Sequence, residues 1–471
     1  MRHDPTEPAA KAGAGSARGR LTRGSIPRHV WVQTWPVMVG LSASMSVGIV
    51  DAYFVGQLGP DALAAIGFVF PVQVALQSLG VGVMVGINSV LSRDLGAGQD
   101  ARAERRAMQG VLLGVLVGAG LGVGLWLGSD ALFAAMGAEE VVLQLVQAYM
   151  RPYAFGFGGL LMAMSLNGVL RAQGRAVASS SILLVVAVAN WVLDPFLITG
   201  WGPLPGYGVA GAAYATVLSF FLASVVALGL VQTSALRLRS RWILGGDFRA
   251  GFRALVRVGG PAAFANAVNP LGLTVLTALL AGHGAATVAA FGAASRVQSL
   301  ILVPLLAMSS SIGPIVGQNW GAQAYGRARA AWRFYLGLCV VYGLACAGVL
   351  VGFRASVGAV FTDDPAVRAE LADYFLVAAW GFVGFGILIV TNGALNAIDR
   401  ATTALGVSLG RVFLVMVPAA MVGSAFGPNG VFASVLLANL AGGLAAYAYG
   451  RRVLMEAPLV EGLEPAPVEA G

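Results

Sequence analysis

Charge is scarce in this chain: 29 Lys+Arg and 21 Asp+Glu make up 11% of 471 residues, against about 25% in soluble domains. That excludes a water-exposed globule. Cysteine is nearly absent, and Cys339 and Cys346 share one apolar run, so they read as packing residues rather than as a disulfide or metal framework. Histidine is limited to His3, His29 and His283, none placed to converge with another. Zinc, haem and iron–sulfur sites are thereby excluded, and no cofactor is expected. Lysine occurs only at Lys11 and no GxxxxGK[ST] segment exists, so the chain does not drive itself with ATP. The strict apolar–polar alternation of a membrane barrel is also missing.

What is present is apolar surface and glycine: 58% of residues are hydrophobic and 65 are Gly, with a mean hydropathy of +0.79. Small residues let membrane helices approach closely, so the class is an all-α polytopic membrane protein. Residues 1–30 are polar, basic and without an apolar core, and are expected to be a disordered tail. From Trp31 to Gly450 long apolar runs alternate with short loops. About 420 residues at roughly 35 per span and loop allow twelve transmembrane helices of ~20 residues. They are expected at about 32–55, 63–90, 107–134, 146–169, 177–199, 208–231, 255–281, 286–314, 332–361, 371–395, 402–424 and 430–449.

Loop charge tests that count. With twelve spans, every basic residue except Arg151, Arg296, Arg354, Arg368 and Arg411 falls in the termini, in loops on their side or in the first residues of a span at that side, which predicts cytoplasmic termini. The chain also repeats itself. A gap-free shift of 225 residues superimposes Pro36 on Pro261, Gly59 on Gly284, Val72-Gln73 on Val297-Gln298, Gly96-Ala97 on Gly321-Ala322, Asn167-Gly168 on Asn392-Gly393 and Arg175-Ala176 on Arg400-Ala401. Two homologous six-helix lobes follow, 31–235 and 254–452, joined by a cytoplasmic linker at 236–253 and ending in a tail at 453–471. Six is even, so the repeat is parallel and the expected shape is a V around a central cavity. That architecture suits a secondary transporter rocking between two access states, energised by an ion gradient.

Among 21 acids only Asp51 and Asp194 fall well inside expected spans, the others lying in tails, loops or loop margins; within a span an ionisable group costs about 2.5–3.5 kcal/mol and marks a functional site by default. Asn190 and Asp194 share one helix face, and Pro195 frees the carbonyl of Trp191. Asn167 and Thr216 add neutral oxygens if their helices close the ring. Such a set suits a shared proton or a desolvated Na⁺, the latter at Asp51, Asn190, Asp194 and Thr216, and the two acids would titrate as a unit.

Over essentially all twelve spans the sequence resembles the multidrug and toxic compound extrusion (MATE) family. The resemblance is carried by Pro36 with Asp51 in VDAYFVGQLG, NGVLRAQGRA from Asn167, ANWVLDP ending at Pro195, GVAGAAYAT ending at Thr216, and VGQNWGAQAYGRARA from Val316. It implies cation-coupled export of amphipathic, often cationic organic molecules across a bacterial inner membrane. A GC-rich bacterial source also fits the high-Ala, high-Arg composition. In the DinF-like branch, which this chain is most similar to, the cation site matches Asp51, Asn167, Asn190, Asp194 and Thr216, and the first helix bends at Pro36 on protonation. A plain kink reads equally well there, because Pro261 matches Pro36. Another branch places acids in the second lobe, whereas here the positions 225 after Asp51 and Asp194 are Leu276 and Ala419. The coupling site is therefore expected in the first lobe only, with H⁺ and Na⁺ both open.

Asn266, Asn269, Arg296, Asn392 and Asn396 are candidate cavity-lining residues. Arg296 and Arg411 have no acid in their lobe to pair with. The expected partners are small organic substrates and the lipid bilayer, without nucleic acid, and the chain is expected to act as a monomer. A lipid-linked oligosaccharide flippase is the rival within transport and would carry several basic residues in its cavity. An intramembrane enzyme is the rival from another class, and the histidine count opposes it.

Overall fold

The computed structural model describes residues 19–201, 204–239, 242 and 248–456. Fifteen α-helices are described: α1 (Ile26–Gly56), α2 (Pro60–Gly96), α3 (Asp100–Ala135), α4 (Glu140–Ala172), α5 (Ala176–Asp194), α6 (Val209–Gln232), α7 (Phe248–Ala281), α8 (Ala285–Gly321), α9 (Tyr325–Gly352), α10 (Arg354–Phe361), α11 (Pro365–Ala378), α12 (Gly381–Ala397), α13 (Ala401–Leu409), α14 (Val417–Ser424) and α15 (Pro428–Met455). Eleven uninterrupted segments are long and apolar enough to cross a membrane, and α11 with α12, bent by 57°, makes a twelfth. The helices start where the sequence signals it, with Pro27, Pro60 and Pro428 in the first turn of α1, α2 and α15, since an N-terminal proline lacks only a donor that has no helical partner. Two spans contain a π-helical turn, Pro195–Thr199 after α5 and Gly410–Met416 between α13 and α14.

The repeat is visible in geometry as well as in letters. Arg102 Nε donates to Asp94 Oδ1 at 3.0 Å, and 225 residues on, Arg327 Nε donates to Asn319 Oδ1 at 3.1 Å. The turns between those partners pass through left-handed residues at the same register, Gly98 (φ 69°) and Gln323 (φ 59°). Within the first lobe Gly118 and Gly122 of α3 sit so close to α4 that an added Cβ would lie 2.9 Å from Gly158 Cα and 2.4 Å from the carbonyl oxygen of Ala154. Backbone proximity of this kind holds membrane helices together where no hydrophobic force acts between them.

Both described chain ends and the arginine-rich loops lie at one end of the bundle, called here the basic end: Leu21 N donates to Gln318 Oε1, and Arg329 Nε to the carbonyl of Leu454. Among the described residues, the hydrogen bonds and the ion pair joining the lobes lie in this half. Thr34 meets Ser311 at 2.8 Å, Arg93 donates to the carbonyl of Ala397 at 2.9 Å, and Gln318 donates to that of Ala172 at 2.7 Å. Repeat-related Gly96 and Gly321 mark the tightest crossing, where a Cβ would lie 2.0 Å from the Gln318 carbonyl oxygen and 2.1 Å from that of Arg93. Toward the other end, a Cβ on Gly56, Gly67, Gly284 or Gly292 would meet nothing within 4 Å. The lobes converge at the basic end and separate away from it, as a V.

Three expected boundaries change. Residues 19–30 are not a loose tail: Leu21 is buried against the second lobe, its carbonyl accepts from Asn319, and α1 begins at Ile26. Polar composition concealed this because one leucine and backbone groups make the contacts. The linker is shorter than 236–253, since α7 starts at Phe248, while 240–241 and 243–247 lie outside the described residues. The last helix continues to Met455, so the tail from 453 begins helical; residues 1–18 and 457–471 lie outside the description.

Candidate functional site

Asp51 lies on α1 about 7 Å from its far end, counted as five residues of helical rise, and Asp194 is the last α-helical residue before the π-turn at Pro195–Thr199. Pro195 has no N–H to continue the α ladder, and π-turns recur at functional sites because they re-aim side chains. The two carboxyls are electrostatic neighbours. Asp194 is wholly buried, yet both its oxygens and Oδ1 of Asp51 meet no hydrogen-bond donor. The two facts agree physically: an ionised carboxylate only accepts, so neither acid can satisfy the other until a proton or cation sits between them.

Of the neutral residues expected around the acids, the structure brings two together and holds one apart. Asn190, fully buried, receives Thr216 Oγ1 at 3.4 Å, so these two residues come together one helical turn before Asp194. Asn167 does not. Its Oδ1 accepts from Arg171 Nε at 2.8 Å and Ser179 Oγ at 2.8 Å, and its Nδ2 donates to the Ser179 carbonyl at 3.0 Å, which saturates the amide toward the basic end. The fourth span supplies Tyr149 instead, about 27 Å further along α4. Tyr149 interacts with Asp51 and Thr216, and Gln73 donates to its hydroxyl at 2.7 Å.

Tyr149 and Gln73 were not singled out by sequence reading, although the repeat carried the signal. Adding 225 to each gives Tyr374 and Gln298, and in the second lobe the Tyr374 hydroxyl donates to Gln298 Oε1 at 3.1 Å. The Tyr–Gln bond is thus a shared scaffold, onto which only the first lobe adds carboxyls. This pair provides an internal control. Tyr149→Phe and Tyr374→Phe should each cost about 1 kcal/mol of stability, the net worth of a hydrogen bond. Only Tyr149→Phe should also slow gradient-driven transport, by severalfold; equal transport by both variants in liposomes would remove Tyr149 from the site.

Between the lobes, above the basic-end contact, lies a cavity of about 350 Å³. Asn266, Asn269, Asn392 and Asn396 line it as expected. Arg296 does not: it is exposed on α8, about 240° around the helix from the lining residue Leu302. Arg411, for which the sequence leaves the cavity as one of three open placements, does line it, and so does Arg171. By loop charge alone Arg171 falls with the basic loops. Its spacing of four from Asn167 signalled the shared face. Pro36 lies within α1, which runs unbroken through it.

A family model described as MatE matches residues 36–196 and again 261–422, two copies that begin at the repeat-related Pro36 and Pro261. An FAD transporter of Shewanella oneidensis is 33% identical over 438 residues, spanning 93% of this chain and 97% of that protein. A probable multidrug resistance protein, NorM, of Deinococcus radiodurans is 29% identical over 381 residues, 79% of this chain and 83% of its own. Among solved structures, the Vibrio cholerae MATE transporter VcmN superimposes with a TM-score of 0.86 at 27% identity, covering 91% of this chain and 97% of that one.

Proposed function

Since this chain belongs to the multidrug and toxic compound extrusion (MatE) family, we propose that it is a secondary antiporter expelling amphipathic organic molecules across the bacterial inner membrane in exchange for H⁺. Na⁺ is the ion the same oxygens would otherwise take. The observation that carries this reading is the Asp51–Asp194 pair in one lobe of a two-lobed bundle, with Asp194 wholly enclosed and both its oxygens without donors. An ionised carboxylate so enclosed costs several kcal/mol, and loading a proton between the two acids removes that cost. The pair therefore has two states of different energy, which is what an ion-driven switch requires.

The pocket lies toward the open end of the V, and the positive-inside rule makes the basic end cytoplasmic. The ion then enters from outside while the cytoplasmic side is shut. Proton binding relaxes the repulsion within the first lobe. Pro36 lets α1 yield, because the carbonyl of Val32 lacks its helical donor. The relatives named above comprise a multidrug resistance protein and an FAD transporter, which supports an organic cargo and leaves its charge to the cavity.

Reconstituted in liposomes, the protein should drive counterflow of amphipathic fluorescent dyes when a pH gradient alone is imposed, acidic on the far side. A Na⁺ gradient alone should leave transport near background. Drive by Na⁺ only would name sodium instead, and drive by neither gradient would overturn the coupling.

A further inference from the structure

The cavity between the lobes has the opposite polarity to the acid pocket. Among the described residues no Asp or Glu lines it, whereas Arg171 and Arg411 do, 6% and 5% exposed. Neither is paired with a carboxylate: Arg171 is held by the Asn167 and Ser179 oxygens, and Arg411 by those of Asn439 and Asn269, over the ring of Phe385 at 5.1 Å. Nε of Arg411 has no hydrogen-bond partner, nor do Oδ1 of Asn392 and Oδ1 of Asn396 on the same wall. Truly structural buried arginines are paired or fully bonded, because an uncompensated buried charge is expensive. Here donors and acceptors are left over together, facing space that holds a drug-sized molecule.

The repeat sharpens the point. The position 225 before Arg411 is Val186, so the guanidinium belongs to the second lobe alone, as the carboxyls belong to the first. Arg411 sits in the π-turn Gly410–Met416 and Asp194 immediately before the π-turn Pro195–Thr199, the equivalent spans of the two lobes. The fifth span of the first lobe thus carries the coupling acid, and its counterpart in the second lobe carries a buried cation.

We propose that the central cavity binds an organic oxyanion, with Arg411 on the second-lobe wall and Arg171 at the floor supplying the positive charge and the Asn266, Asn269, Asn392 and Asn396 amides reading the rest of the molecule. Guanidinium groups suit this because their planar fork matches the two oxygens of a phosphate or carboxylate. The proposal rests on the transporter reading above and assigns its substrate class, in place of the cationic cargo that the sequence resemblance implies.

The test uses the full chain in detergent and needs no gradient. Flavin mononucleotide, riboflavin and ethidium serve as probes, being planar fluorophores that are anionic, neutral and cationic. Flavin mononucleotide should bind at least tenfold more tightly than either of the others, and Arg411→Gln should weaken it at least tenfold, with Arg411→Lys intermediate. If Arg411→Gln does not fold, Asn396→Asp, which adds a negative charge at unchanged size, should give a similar loss. Dihexanoyl phosphatidic acid and inorganic phosphate as competitors separate the two sources of such an anion: stronger displacement by the lipid assigns a headgroup, the reverse a soluble organic phosphate. Equal or tighter binding of ethidium, or unchanged flavin mononucleotide affinity in both folded variants, overturns the proposal. Proton-driven export of dyes without any anion binding would sink this inference and leave the transport reading intact, whereas anion binding without gradient-driven flux would do the opposite.

Discussion

Asp194→Asn is expected to lower gradient-driven counterflow at least a hundredfold, to the level of protein-free liposomes, while the protein still inserts and remains monodisperse. The reason lies in the enclosure of that side chain: it is wholly buried, and both carboxyl oxygens lack donors. An amide of the same shape keeps the packing and can donate to Asp51, so it fixes permanently the arrangement that a proton would create reversibly. The switch then has one state, and a ligand with nothing to bias shifts no equilibrium. Thermal stability should be unchanged or raised, because an acceptor pair without donors is replaced by a donor–acceptor contact. Asp51→Asn should behave alike, since the two acids act as one titrating unit. Transport within threefold of the parent by both single variants would refute the mechanism, whereas equilibrium cargo binding should survive in each.

Gly96→Val should abolish transport by a different route. A Cβ there lies 2.0 Å from the Gln318 carbonyl oxygen and 2.8 Å from its carbon, so the clash is with backbone and no rotamer relieves it. Overpacking of this kind costs about 1–3 kcal/mol or more, and the cost falls only on the state in which the lobes meet at the basic end. A penalty of about 3 kcal/mol shifts a two-state balance by more than a hundredfold, leaving the protein open at that end. A cysteine placed at Asn266, in a background with Cys339 and Cys346 replaced by Ala, should then label faster from the basic side, and flux should fall more than tenfold. Gly67→Val is the control, since nothing lies within 4 Å of its Cβ position and transport should be retained. Loss of flux without increased labelling would mean that the crossing is structural only.

These expectations draw unequally on the two kinds of information. The helix count, the basic-end charge and the 225-residue register were legible in the sequence, because a bilayer imposes length, apolarity and loop charge on every span. So was the restriction of intramembrane acids to one lobe, which only required comparing Asp51 and Asp194 with Leu276 and Ala419. Asn167 shows where such reading stops: its spacing and family motif placed it in the acid pocket, yet Arg171 and Ser179 claim every polar atom of its amide. Tyr149 is the converse, an apolar-looking tyrosine that stands within electrostatic reach of Asp51 on another helix.

The sequence by itself determined the membrane class, the duplicated lobes and the identity of the two acids deep in the first lobe's spans, since those follow from composition and from chemistry local to one helix. Only the tertiary structure decided which end is shut, that Tyr149 replaces Asn167 beside the carboxyls, and that Arg171 and Arg411 face the cavity without an acid. Each of those depends on which side chain a neighbouring helix presents at a given depth. Helical periodicity sets the face a residue occupies, but not what stands opposite it.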